Sequence, residues 1–503
     1  MLGDRHQGIW FVTGSQHLYG EEALREVAEH ARRVAGELDR ADALPVPLVV
    51  HDPLTDADAI RRLLTQAQAD EACIGVIAWM HTFSPARMWI GGLLALSKPL
   101  LHLHTQFDRD LPWSEIDMDY MNLNQSAHGD REFAHAATRL GVGRKTIVGH
   151  WSDPRVQERI GLWARAAMGW NEAQHLTVAR FGDNMRDVAV TEGDKVGAQI
   201  VLGSTVNGYG VDGLGVAVAE AADADVSAVL ERYDADYDVV AELRPDGGRR
   251  ASLVEAARIE AGLRALLRQG GFGGFTDTFE DLGALRQLPG IAVQRLMAEG
   301  YGFGAEGDWK TAVLLRVMKV MAAGLPGGTS FMEDYVYHLG AGAAESRTLG
   351  AHMLEVCPSI AADRPSCEIH PLSIGGREDP VRLVFTAPPG PAVVVSLVEL
   401  GGRLRLVANE VEVVAPAADL PHLPVARAVW RPEPELSTAA EAWLLAGGSH
   451  HSVFTMALGI EPLRDLAAMW GIELVVIDRR TTIPEFTDRL RWNQAYYHLA
   501  RGL

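Results

Sequence analysis

The stretch IWFVTGSQHLYGEEALREVAEHARRVAGEL (residues 9–38) decides the fold. Its first part, IWFVTG (9–14), is a short, mostly apolar run of strand length. In the second part Leu24, Val27, Ala28, Ala31, Val34, Ala35 and Leu38 trace one face of a helix. The same alternation continues downstream. Strand-like runs recur at PVPLVV (45–50), CIGVIAW (73–79), PLLHLHT (99–105) and KTIVGHW (145–151), with helical patterns between them. Ser84-Pro85 and Asp153-Pro154 read as an N-cap followed by a first-turn proline. Strand–helix alternation predicts an α/β fold, with a doubly wound parallel sheet over residues 1–175. Such sheets bind ligands beyond the carboxyl ends of their strands, so GSQHLYG (14–20) makes Gln16 and Leu18 candidate site residues.

A second α/β domain is expected over 176–325. LTVARFG (176–182) reads as its first strand. A long helix over 249–269 ends at Gly270-Gly271, and a helix over 309–323 has Asp308 as its N-cap. From 326 to 503 the pattern changes. VRLVFTA (381–387), PAVVVSLVEL (391–400) and RLRLVANEVEVV (403–414) are strand-like and separated by Pro388-Pro389-Gly390 and Gly401-Gly402. This predicts a β-rich, antiparallel, barrel-like C-terminal domain.

Composition narrows the function. The 503 residues carry a formal net charge of −20, which disfavours nucleic acid and anionic membranes and leaves a neutral small molecule as the natural ligand. The first residues lack the apolar core of a signal peptide, and no run reaches the length of a membrane span. Three cysteines (Cys73, Cys357, Cys367) without a CxxC fit a reducing compartment. A soluble, cytoplasmic chain is expected.

Four separated segments pool ligand-type side chains: GFGAEGDWK (302–310), GGTSFMEDY (327–335), AHMLEVCPSI (351–360) and AGGSHH (446–451). They offer Glu306, Glu333, His352 and the His450/His451 pair. Two carboxylates with two imidazoles suit a divalent ion of intermediate hardness that keeps positions open for a substrate. Asp308 and Asp334 are neighbouring acids that composition alone cannot separate from Glu306 and Glu333. His352 heads a strand pattern with Leu354 and Val356 on one face. On an extended segment His450 and His451 point opposite ways, so one of the two is expected to reach a given ion. GxGxxG occurs at 208–213 and 302–307; the run before the latter, IAVQRLMAEGY, is helical, which argues against a dinucleotide loop there.

These segments resemble L-arabinose isomerases. So do WFVTGSQHLYG (10–20), HTFSPARMWI (81–90), LHTQFDRDLPW (103–113), DMDYMNLNQSAHGDREF (117–133), RFGDNMRDVAVTEGDKV (180–196) and RWNQAYY (491–497), which together span essentially the whole chain. Residues 337–351 are the part least like the family. The resemblance implies the fold of the L-fucose isomerase-like group, with two α/β domains and a β-rich third. It implies Glu306, Glu333, His352 and His451 as ligands of Mn²⁺, one ion per subunit, with Co²⁺ or another divalent ion as alternatives. It also implies Glu306 and Glu333 as the acid/base pair, and Gln16, Leu18, His128, Met185, Phe279 and Ile374 as sugar contacts. The implied activity is L-arabinose to L-ribulose through an enediol, with side activity on D-galactose giving D-tagatose. The implied assembly is a homohexamer with sites between subunits. Two rival expectations are an NAD-dependent sugar dehydrogenase, from the doubly wound N-terminus and the GxGxxG matches, and a non-catalytic sugar-binding protein.

Overall fold

The structure is a computed structural model that describes residues 7–372 and 376–500. It divides into two compact units. One comprises the described residues up to Asn171 together with Glu461–Met469; the other comprises Glu172–Ile460 and the described residues from Trp470 onward.

The first unit holds β1 (Gly8–Gly14), β2 (Leu48–Val50), β3 (Cys73–Met80), β4 (Leu100–His104) and β5 (Lys145–Val148). They form a parallel sheet in the order β2-β1-β3-β4-β5. Alternate residues of β1 feed two separate cores. Ile9 and Phe11 pack with Trp79, Leu101 and Trp163, whereas Trp10 and Val12 pack with Ile60, Trp89 and Phe133. A sheet covered on both faces is what the continuous apolar runs require. The helix Gly20–Asp39 buries Val27, Ala31, Val34, Ala35 and Leu38, the face its periodicity marks. Strand order reverses between β1 and β3, and there Ser15 Oγ lies 2.9 Å from Thr82 Oγ1, just before Gln16.

Local differences from the sequence reading have local causes. The run 45–50 yields only a three-residue β2, since Pro45 and Pro47 have no N–H to donate. Pro154 does open a helix, Pro154–His175, with Asp153 Oδ1 accepting from the Arg155 N–H at 2.9 Å. Ser84-Pro85 instead precedes a 3₁₀ turn, Ala86–Trp89. Ser84 Oγ accepts from Trp89 Nε1 at 3.0 Å rather than capping the backbone. The late segment Glu461–Met469 belongs to this unit because Lys145 Nζ reaches both Glu461 and Asp465 at 2.8 Å.

In the second unit, β6 (Thr177–Phe181), β7 (Thr205–Tyr209), a two-residue β8 (Asp238–Val239), β9 (Gly274–Thr276) and β10 (Gly302–Gly304) come first. All but β8 form a second parallel sheet, ordered β10-β9-β6-β7. The helix Arg250–Gln269 stops at Gly270, and Gly271 takes φ +64°. The helix Trp309–Met321 begins at its predicted cap, Asp308, whose side chain accepts from the Thr311 N–H.

The strands β11 (Thr329–His338), β12 (Arg347–Ala351), β13 (Ser366–Ile369), β14 (Val381–Val384), β15 (Gly390–Glu399), β16 (Leu404–Val413), β17 (Arg427–Pro432), β18 (His451–Thr455) and β19 (Glu473–Ile477) follow. Here β15-β18-β11-β12-β17-β16 pair antiparallel, and a β15–β16 pairing closes the ring. β19 adds to β16 in parallel. The barrel-like expectation therefore describes this sheet. β13 and β14 leave it and pair with β8. Among the described residues no helix is long and apolar enough to cross a membrane, and all three cysteines are buried and free.

Candidate metal centre and active site

Two structural features build the site: a tight connection out of β10 and the register of the barrel. Gly302 and Gly304 let the helix Trp309–Met321 pack directly on β10. A Cβ on Gly302 would sit 2.0 Å from the Ala312 carbonyl oxygen, and one on Gly304 2.1 Å from that of Asp308. The first two glycines of 302–307 are thus packing residues within a strand, and the preceding helix has already ended at Ala298. Between strand and helix, Glu306 has φ +59° and Gly307 φ +82°. A glutamate rarely adopts this conformation, and surrounding contacts must hold it. The Glu306 carbonyl accepts from the Met185 N–H at 3.1 Å, and the Gly307 N–H donates to the Asp277 carbonyl at 3.0 Å.

In the barrel, Glu333 on β11 stands opposite His451 on β18 and opposite Ala351 on β12. Ala351 is the last residue of β12, so His352 follows it directly out of the strand. The expected strand through His352, Leu354 and Val356 is therefore corrected. The strand ends where that pattern begins, and Leu354 and Val356 in the following loop are buried nonetheless. Phe331 packs edge-on against both imidazoles, with ring centroids 5.0 Å apart in each case.

Ligand atoms of Glu306, His352 and His451 lie within 4.8 Å of one another, an arrangement that could hold an ion. Glu333 Oε2 is 3.9 Å from His352 Nε2. Each imidazole is tied on its other nitrogen. His352 Nδ1 is 2.5 Å from Glu355 Oε2, and His451 Nδ1 is 3.1 Å from Asp308 Oδ2. His451 Nε2 is buried without a hydrogen-bond partner. A buried polar nitrogen left unpaired is costly, and a cation accepting its lone pair would satisfy it. The donor set therefore fits a divalent ion.

The two adjacent histidines depart from the alternation rule. His450 Nε2 lies 3.5 Å and His451 Nε2 3.8 Å from the same Glu306 oxygen. β18 starts at His451, and His450 sits in the bend before it, where strand alternation does not apply. Of the competing acids, Asp308 supports His451 from behind, and Asp334 opposes Gly350 one step along β11.

Electrostatics follow from burial and these contacts. Burial opposes the charge on Glu306, but the hydrogen bond from His450 and the neighbouring histidines hold its carboxyl below the ordinary value. Burial likewise works against Asp308, yet Lys310 and His451 bring it down to about 2. Burial, with Glu355 adding to it, pushes Asp277 up to about 7. The His450 imidazole is raised by its hydrogen bond to Glu306, and burial lowers His451.

A cavity beside the centre is lined by Asp277, Phe279, Glu306, His352 and Glu355. It brings Phe279 to the carboxylate–histidine cluster, and Met185 reaches the same loop through its backbone. Gln16, Leu18 and His128 belong to the other unit. Gln16 is half-buried, Leu18 is 83 % exposed, and exposed His128 has its ring 4.4 Å from Phe83. Ile374 lies outside the described residues. Sequence reasoning passed over Glu355 and Asp277. Glu355 is the one acid in the apolar run HMLEVC, a placement that signals a buried, partnered carboxylate.

A doubly wound sheet, a second parallel sheet and a closed barrel presenting a buried carboxylate–histidine cluster define an α/β enzyme class suited to one divalent ion. Family models match the chain in three consecutive pieces. These are the L-arabinose isomerase N-terminal domain over residues 4–175, the central domain over 177–324 and the C-terminal domain over 328–473. An L-arabinose isomerase of Nocardioides sp. is 65 % identical over 98 % of both chains. Those of Geobacillus thermodenitrificans and Koribacter versatilis are 58 % and 60 % identical, over 99 % and 98 % of both chains. The chain belongs to the L-arabinose isomerase family.

Proposed function

We propose that this protein interconverts L-arabinose and L-ribulose by proton transfer at a divalent metal centre. The observation that carries this is the buried, unpartnered Nε2 of His451 beside Glu306 and His352. Glu306, Glu333, His352 and His451 would hold the ion, with Mn²⁺ as the natural occupant and Co²⁺ as an alternative. The bound ion supplies Lewis-acid polarisation of the sugar's O1 and O2.

The two glutamates do the proton work. One takes the proton from C2 of the open-chain aldose and returns a proton to C1; the other carries the hydroxyl proton from O2 to O1. No atom is gained or lost between aldose and ketose. The lowered carboxyl of Glu306 keeps it ionised at neutral pH, as a base requires. Phe279 lines the cavity, Met185 bonds the Glu306 loop through its backbone N–H, and both would contact the sugar. Gln16, Leu18, His128 and Ile374 complete the sugar contacts, and D-galactose to D-tagatose is the side reaction. The exposed positions of Leu18 and His128 suit a contribution to a neighbouring copy's pocket, within a homohexamer. Three domains meeting near residues 175 and 325, and a cytoplasmic location, complete the proposal.

Isotope incorporation tests the proton route. A carboxylate that takes a proton can exchange it with solvent before returning it. Turnover of L-arabinose in D₂O with Mn²⁺ present should therefore place deuterium at C1 of the ketose. Full retention of the substrate's own C2 hydrogen would point to hydride transfer, and absence of any ketose would end the proposal.

A further inference from the structure

We propose that Asp308 and Glu355 are positioning residues: they fix which ring nitrogen His451 and His352 offer to the ion, and so set how tightly it is held. This rests on the metal reading of Glu306, Glu333, His352 and His451. Both imidazoles have the same arrangement, although their carboxylates come from unrelated places in the chain. Asp308 opens the helix Trp309–Met321 and meets His451 across the start of β18. Glu355 lies three residues beyond His352, in the loop after β12. All four side chains are buried.

An ionised carboxylate only accepts hydrogen bonds. It therefore requires the proton to sit on Nδ1, which leaves the Nε2 lone pair facing the cluster. The opposite tautomer would set an Nδ1 lone pair against carboxylate oxygen and aim an N–H where the ion binds. Both carboxylates are themselves held. Asp308 Oδ2 accepts from Thr311 Oγ1 at 2.7 Å, Oδ1 accepts from the Thr311 N–H at 3.2 Å, and Lys310 Nζ stands 3.7 Å away. Glu355 Oε2 also accepts the Leu354 N–H at 3.1 Å. Neither acid is aimed between the imidazoles as a ligand; each lies on the far side of its ring.

The two positions differ in what else they do. Asp308 also faces the buried Lys310 Nζ at 3.7 Å, so removing its charge leaves that ammonium without its carboxylate and costs fold stability. Glu355 caps nothing, which makes Glu355→Gln the cleaner probe. Glutamine keeps the size and an accepting oxygen, but its amide can rotate to donate, so either tautomer becomes acceptable.

The experiment is Mn²⁺ titration of the metal-stripped full chain, read from the electron-paramagnetic signal of free Mn²⁺. Heat unfolding of each metal-free protein runs in parallel. Glu355→Gln should weaken Mn²⁺ binding by about 10- to 100-fold, the usual cost of losing such a partner. Its metal-free unfolding midpoint should stay within about 2 °C of the parent, less than a 1 kcal/mol change produces in a domain of ordinary size. Saturating Mn²⁺ should return its turnover, which a distorted site would not allow. Asp308→Asn should weaken binding and lower the midpoint as well. If both variants bind Mn²⁺ within twofold of the parent, the positioning roles are wrong. If the parent itself binds no Mn²⁺, the metal reading fails instead.

Discussion

Glu306→Gln and Glu333→Gln should each lower turnover of L-arabinose by about 100-fold or more, the scale set by a positioned acid or base. The amide keeps the shape of the side chain and an oxygen that can face an ion, but it cannot take a proton at neutral pH. At position 306 the change also removes the charge that lies 3.5 Å from His450 Nε2 and 3.8 Å from His451 Nε2. Metal content of each variant must therefore be measured beside its rate, so that lost occupancy is not counted as lost proton transfer. The left-handed backbone at Glu306 is unaffected by the exchange, since glutamine and glutamate meet the same steric limits there. A loss below tenfold at full metal occupancy would show that the carboxylate in question moves no proton.

His451→Ala should weaken Mn²⁺ binding by more than about 100-fold, beyond what loss of a supporting partner costs. His450→Ala should keep the ion, with a milder kinetic loss. Both rings come near Glu306, so sequence adjacency does not separate them; their second contacts do. His451 is fully buried, tied to Asp308 on one nitrogen and unpartnered on the other. His450 is more than a third exposed and uses its Nε2 against Glu306. Metal titration of the two variants decides the matter. Equal affinities, or the reverse order, would assign the wrong imidazole to the ion.

The first parallel sheet was readable because β1, β3 and β4 are buried along almost their whole length and so appear as apolar runs, while the helix Gly20–Asp39 carries one apolar stripe; in the second sheet the short β9 and β10 and the mostly exposed β7 leave no such run. Local stop and start chemistry was also legible at Asp308, Pro154 and Gly270, where a single side chain or a missing N–H settles the backbone. Local pattern failed where burial and regular structure part company. His352, Leu354 and Val356 alternate like a strand and are buried like one, yet they line a loop, because the barrel register spends β12 on residues 347–351. The bend that turns His450 toward Glu306 leaves no mark in Gly-Gly-Ser-His-His beyond the two glycines. The placing of Glu333 beside His352 and His451 depends on β11 pairing with both β12 and β18, a long-range register that no short window encodes. The family resemblance named all four, and the structure brings ligand atoms of Glu306, His352 and His451 within 4.8 Å of one another. The pairing of each imidazole with a carboxylate came from the structure: Asp308 meets His451 across 143 residues, which periodicity cannot show, and Glu355 meets His352 within a loop, where no regular spacing applies.

Metal removal tests the central claim most directly. The protein is stripped by a chelator, its metal content is established by elemental analysis, and ketose formation from L-arabinose is followed before and after Mn²⁺ is returned. The proposed Glu306–Glu333–His352–His451 centre predicts no turnover in the stripped protein and recovery with Mn²⁺. Full turnover by protein shown to hold no metal would contradict it.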